Sequence, residues 1–251
     1  LYEKKDKKSP LVFTQAGELV VKHGRELLAK GQDLVELGNL CNGDAMQGQL
    51  RVGCIPTIAP FLLCDLVQEA NHRFPQLNLL LREDTTTNLL AALRHGELDV
   101  LILALPVDID NMESKVVGQD PFRMVISRNQ ADGIRVPIKY DDLPDESVFL
   151  LENEHCLTEH AVSACKLTDK EKINPFTATS LHTLVQMVAN GLGTTFIPQM
   201  AIDHGLLENQ NLVVIDPPGQ QAYRDIGLVW RPSSSRRETF HQLADVVSEL
   251  L

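Results

Sequence analysis

Leu50-Arg-Val-Gly-Cys-Ile-Pro-Thr-Ile58, Ala59-Pro-Phe-Leu-Leu-Cys-Asp-Leu-Val-Gln-Glu-Ala-Asn-His-Arg-Phe74 and Leu77-Asn-Leu-Leu-Leu-Arg-Glu83 stand in close succession. The first and third runs are short and rich in Val, Ile and Leu, which reads as strand, while the second is long enough for a helix. Residues 87–93 then read as a second helix, and Val100–Leu105 as a strand buried on both faces. Strand and helix in alternation are the sequence sign of a parallel sheet covered on both faces, so this stretch predicts an open α/β domain.

Outward from this stretch the same rhythm is repeated. Residues 123–127, 148–151, 194–197 and 212–215 read as strands, and 159–166 and 181–189 as helices. A last strand at 226–230 and helix at 238–251 have no partner in this second series, and their simplest home is back on the first domain. On the other side, residues 14–41 are helical in pattern, with Val20, Leu27, Leu34 and Cys41 every seven residues and Gly24, Gly31 and Gly38 at the same period. Each interior glycine costs about 1 kcal/mol of helix propensity. Three in register point to close approach by a partner helix, against the plainer reading of a helix packed on its own domain. The charge run at residues 3–8 reads as a solvated turn and residues 42–49 as a linker.

Among the 251 residues, 34 are Asp or Glu and 23 are Lys or Arg, a formal net charge of -11, and 43% are hydrophobic. A core of ordinary size is affordable, and disorder or a disulfide-stapled miniprotein is excluded. Wrapping of nucleic acid by the chain as a whole is disfavoured, because phosphate contacts need a basic face. Five cysteines (Cys41, Cys54, Cys64, Cys156 and Cys165) are an odd number with no secretory signal, so a reducing, cytoplasmic setting is expected. The uncharged window at 173–202 carries too many Asn, Thr, Ser and Gln side chains for a membrane span. Beginning at Leu1 inside a charged stretch, the chain reads as a piece of something longer.

The strongest chemical feature is His155-Cys156-Leu-Thr-Glu-His160-Ala-Val-Ser-Ala-Cys165. If Thr158 caps a helix running to Cys165, Cys156 lies just before an N-terminus, where the dipole and a neighbouring His favour the thiolate. Nine residues of helix rise about 13 Å, whereas a disulfide needs Cα atoms within about 7 Å. Oxidation of Cys156 followed by bonding to Cys165 would therefore require the helix to unwind. Two inert buried thiols, or a metal set of His155, Cys156, His160 and Cys165, are the alternatives; the metal reading lacks the CxxC spacing. Cys54 and Cys64 fall on core elements and read as packing residues. Gly191-Leu-Gly193 lacks the spacing of a dinucleotide fingerprint, no P-loop is present, and no cofactor or metal is expected.

Two further runs, Ala178-Thr-Ser-Leu-His-Thr-Leu-Val-Gln-Met-Val-Ala-Asn-Gly-Leu-Gly-Thr-Thr-Phe-Ile-Pro198 and Leu50-Arg-Val-Gly-Cys-Ile-Pro-Thr57, resemble the effector domain of LysR-type transcriptional regulators. Leu11-Val-Phe-Thr-Gln-Ala-Gly17 resembles the end of their winged helix-turn-helix and the start of the linker helix. Within the family, His155-Cys156 with a second Cys nine residues on is similar to the hydrogen peroxide-sensing, OxyR-type members. The resemblance implies two Rossmann-like α/β subdomains of the periplasmic-binding-protein type, residues 48–121 with 225–251 and residues 122–224, after a dimerisation segment at 1–47. It implies Cys156 as the peroxidatic and Cys165 as the resolving cysteine, with Pro56, Thr57 and Thr86 from the first subdomain and His155 and Arg224 from the second around the peroxide. It also implies a homodimer or tetramer, promoter DNA bound only through an absent N-terminal domain, and RNA polymerase as a partner, with no membrane role.

One departure concerns Glu154, which stands where the family commonly has Gly. A carboxylate there raises the thiol pKa, while a side chain where the backbone favours positive φ strains the reduced loop; strain is expected to win and to heighten peroxide sensitivity. Two rivals accompany the sensor reading. One is a LysR-type regulator of a small organic effector, with incidental cysteines, and the other is a thiol peroxidase.

Overall fold

The computed structural model describes residues 2–3, 12–40, 45–131, 143–152, 156–164, 167, 169–217 and 222–251. A short antiparallel pair, β1 (Tyr2–Glu3) and β2 (Val12–Phe13), leads into the long helix α1 (Gln15–Leu40). Thr14 starts α1 by accepting the Gly17 N–H on its hydroxyl at 3.1 Å, as an N-cap does. The helix is the one the seven-residue pattern predicts. Its apolar residues Val20, Leu27, Leu28, Leu34 and Val35 stay exposed, and a Cβ added at Gly24, Gly31 or Gly38 would meet nothing within 4 Å. The stripe is therefore not packed on this chain's own domain. Contact with the body is made at Ala29, which lies over Gly96.

The body begins with β3 (Gly48–Cys54), α2 (Ala59–Arg73), β4 (Leu77–Glu83), α3 (Thr86–Arg94) and β5 (Val100–Leu105). β3 pairs in parallel with both β4 and β5, as the alternating pattern predicts. β5 is buried at every position, which explains its unbroken run of Val, Leu, Ile and Ala. β3 ends at Cys54, earlier than the expected Ile58, because residues 56–58 turn at Pro56, which has no N–H for a ladder.

Next comes β6 (Glu113–Ser127), far longer than the strand expected at 123–127, and the short α4 (Arg128–Ala131). The second part continues with β7 (Val148–Leu151), α5 (Cys156–Ala164), β8 (Ile173–Ala178), α6 (Leu181–Ala189), β9 (Thr194–Pro198), α7 (Gln199–Asp203) and β10 (Leu212–Ile215). The chain closes with β11 (Tyr223–Trp230) and α8 (Arg237–Leu250). The nine strands run β4-β3-β5-β11-β6-β9-β7-β8, with β10 beside β6. β11 is antiparallel to both β5 and β6, so the sheet is mixed where the pattern predicts parallel. β8 carries Pro175 and escapes a pattern reading for that reason; its position at the end of the strand order tolerates the missing donor.

Buried apolar residues form two clusters. One gathers β3, β5, β11, α2, α3 and α8; the other gathers the second half of β6 with β7, β9, α5 and α6. Residues 226–247 thus return to the first cluster, as their lack of a partner in the second series predicts. β6 passes from one cluster to the other: its first half pairs with β11 and its second half with β9 and β10.

The two glycines flanking Leu192 have separate reasons. Gly191 has φ +77°, a left-handed conformation that other L residues resist, and Gly193 lies so close to the Ser147 carbonyl and the Phe149 ring that any Cβ would overlap them. Gly193→Ala is expected to lower the free energy of urea unfolding by about 1–3 kcal/mol, the usual effect of overpacking; an unchanged midpoint would show that β9 can move away from the β7 entry at no cost.

Candidate functional site at the seam between the two cores

Adjacent parallel strands β3 and β4 end on the same edge of the sheet, and the loops after them carry Pro56, Thr57 and Thr86. Open α/β sheets bind ligands at this edge. Pro56 is half-buried and Thr57 buried in the turn before α2, while Thr86 is the first residue of α3. Among the described residues, the buried Thr86 hydroxyl finds no hydrogen-bond partner, an uncommon state for such a group.

Arg224 is the second residue of β11, opposite Asp120 of β6. Its side chain is 1% exposed, yet every part of the guanidinium is engaged. Nε and Nη2 donate to Asp120 Oδ2 at 3.0 and 2.9 Å, Nη1 donates to Thr57 Oγ1 at 2.8 Å, and Nη2 also reaches the Thr57 carbonyl at 3.0 Å. The other oxygen of Asp120 accepts the Met200 N–H of α7 at 3.0 Å. The resemblance assigns Arg224 to the second subdomain; the structure places it on the strand shared by β5 and β6, where the two cores meet, because its charge needs the carboxylate on β6. Asp120 itself is not flagged by any local pattern, since its partner lies 104 residues away.

Cys54, at the end of β3, is close enough to Arg224 to feel its charge. Burial nonetheless pushes the Cys54 thiol well up, against the downward pull of Arg224 and a further rise from Glu83. Such a thiol is neutral and inert, as its reading as a packing residue requires. Cys64, also read as a core residue, is exposed on α2. Its position on the helix turns it away from the apolar face formed by Leu62, Leu66 and Ala70.

α5 begins at Cys156 itself, about three residues before the expected start, and packs against β11. Thr158 is not its cap: the Thr158 hydroxyl donates to the Leu151 carbonyl at 2.7 Å. Cys156 therefore occupies the first turn, where the helix dipole favours an anion. With eight residue steps from Cys156 to Ala164, the helix alone separates its ends by about 12 Å. His160 is buried, with Nε2 2.8 Å from the Pro106 carbonyl after β5, so α5 is fastened to the first core; its Nδ1 has no partner among the described residues. His155, Glu154, Cys165 and Cys41 lie outside the described residues. No described helix is long and apolar enough to cross a membrane.

Residues 43–251 match the LysR substrate binding domain. The DNA-binding transcriptional dual regulator OxyR of Escherichia coli is 34% identical over 237 residues, 94% of this chain and 77% of that protein. The HTH-type transcriptional regulator EstR of Acinetobacter baylyi is 32% identical over 238 residues, 95% of this chain and 78% of that protein. Among solved structures, the reduced regulatory domain of OxyR2 from Vibrio vulnificus superposes with a TM-score of 0.82 at 88% identity, over 84% of this chain and 99% of that one. Together with the two-core α/β architecture, these matches mean that the chain belongs to the LysR family of transcriptional regulators, in its OxyR branch.

Proposed function

We propose that this chain is the hydrogen peroxide-sensing part of a transcriptional regulator, switched by a disulfide between Cys156 and Cys165. The observation that carries the reading is that α5, opening at Cys156, packs against β11, whose Arg224 is buried at the seam and hydrogen-bonded to Thr57. The names of the relatives support it: hydrogen peroxide-inducible genes activators of Dickeya chrysanthemi and Pectobacterium carotovorum share 34% and 33% identity with this chain.

The chemistry balances in two steps. The Cys156 thiolate attacks one peroxide oxygen, the O–O bond breaks, and the departing oxygen takes a proton to leave as water, giving a sulfenic acid. The Cys165 thiolate then attacks the Cys156 sulfur, and the hydroxyl leaves as a second water. Peroxide is reduced by two electrons and two thiols become one disulfide. Thr57 accepts from Arg224, so its own proton remains for donation, and the Thr86 hydroxyl is unspent. Pro56 and His155 complete the proposed pocket around a small hydroxylic oxidant, and the Arg224 cation favours the developing negative charge.

Because the helix holds Cys156 well away from its far end, the second step requires part of α5 to open. That change is the signal, passed to a dimer or tetramer of the chain and from there to promoter DNA and RNA polymerase. The exposed apolar and glycine stripe of α1 fits such a dimer. DNA contact would belong to the helix-turn-helix of the full regulator. No metal or cofactor enters the proposed chemistry, which is stoichiometric and set in the cytoplasm.

Brief peroxide treatment followed by alkylation and mass spectrometry should reveal a Cys156–Cys165 disulfide that Cys156→Ser abolishes. Thiols still reduced at excess peroxide would overturn the reading in favour of a small organic effector, and sustained peroxide consumption with a thiol reductant would favour a peroxidase. Glu154→Gly is expected to raise the peroxide dose for half-maximal disulfide, because it relieves loop strain; an unchanged or lower dose would refute that role for Glu154.

A further inference from the structure

The carboxylate of Asp120 is 3% exposed and fully used, with one oxygen on two nitrogens of Arg224 and the other on the Met200 N–H. Two bonds converging from Nε and Nη2 on one carboxylate oxygen hold that edge of the guanidinium toward Asp120. With Nε and one Nη2 N–H held by Asp120, an Nη1 N–H is directed at Thr57 Oγ1 and Nη2 also reaches the Thr57 carbonyl. A hydroxyl that accepts from a cation has its lone pair occupied on that side, so its proton turns elsewhere. Asp120 also joins elements far apart in sequence: Thr57 belongs to the turn before α2, and Met200 is the second residue of α7, with its own side chain buried in the first core.

From this geometry we infer that Asp120 is a positioning residue for the peroxide reaction: acting through Arg224, it fixes the Thr57 hydroxyl as a hydrogen-bond donor to the oxidant. The inference rests on the peroxide-sensing reading and adds to it a residue with no contact to the oxidant. It also makes the donor dependent on the placement of α7, because the same carboxylate accepts the Met200 N–H. A purely structural ion pair would make no such demand, since buried pairs replaced by apolar residues are often as stable or more so.

The effect of charge and the effect of orientation have opposite signs, which makes the test decisive. Asp120→Asn removes the negative charge that offsets Arg224, and in the proposed pocket an uncompensated cation would favour the Cys156 thiolate. Charge alone would therefore speed every reaction of Cys156, whereas loss of orientation slows only a reaction that needs the Thr57 donor. With Cys165→Ser as background, the rate of Cys156 oxidation by hydrogen peroxide is compared with its alkylation by iodoacetamide, both followed at Cys156 by mass spectrometry.

Asp120→Asn should slow peroxide oxidation about ten- to hundredfold, short of the hundred- to thousandfold typical of deleting an oxyanion donor, while alkylation is unchanged or faster. Parallel loss of both rates, or no loss of either, would overturn the positioning role. If Asp120→Asn does not fold, Thr57 decides: Thr57→Ser should keep the native peroxide rate and Thr57→Val should lose it without slowing alkylation, and a native rate in Thr57→Val would sink the proposal. A parent protein whose Cys156 ignores peroxide but is alkylated would instead refute the sensor reading itself.

Discussion

A guanidinium buried to 1% exposure must be matched on every side, and the match made for Arg224 governs how this molecule is assembled. Removing one member of such a pair strands a charge in a dry interior, typically at about 3–5 kcal/mol. Here the partners come from three places: Thr57 after β3, Asp120 in the middle of the crossing strand β6, and, through Asp120, the backbone of Met200 at the start of α7. These bonds join the turn after β3, the paired strands β6 and β11, and α7 in one network. The ion pair therefore ties these elements together at the seam, beside the two apolar clusters.

That seam is where a reactive group gains most from the fold. Parallel strands β3 and β4 deliver Thr57 and Thr86 to one edge, and β11 delivers Arg224 beside them. α5 arrives from the second core and is held at Pro106 of the first by His160. Its first residue is Cys156, so in the proposed mechanism the reactive sulfur is carried by an element that must later give way. Among the described residues, the buried Thr86 hydroxyl and His160 Nδ1 have no hydrogen-bond partner, which is uncommon for buried polar groups. Thr86 belongs to the proposed pocket, and His160 lies on the helix that opens at Cys156.

Much of this could be read from the chain because it is written in local pattern. Strand-helix alternation through residues 50–105 and the unbroken apolar run of β5 give the first core, and the absence of a partner for 226–251 returns those residues to it. The cysteine spacing gives the proposed switch its geometric conflict, with the nine residues of α5 forming about two and a half turns of helix. What could not be read depends on pairing at a distance. Asp120 is one acidic residue among many until β11 lies antiparallel to β6 and brings Arg224 opposite it. β8 is hidden by its own proline, and the early start of α5 follows from Thr158 bonding to Leu151 rather than capping.

The account stands on a helix that excludes the disulfide and must open to admit it. Amide hydrogen exchange on the same chain, thiol-reduced and then peroxide-oxidised, reports this directly for the N–H groups of α5 that are bonded within the helix. Protection through residues 160–164 in the reduced chain and its loss once the Cys156–Cys165 disulfide has formed is the predicted result. A fully formed disulfide with that protection intact would contradict the account.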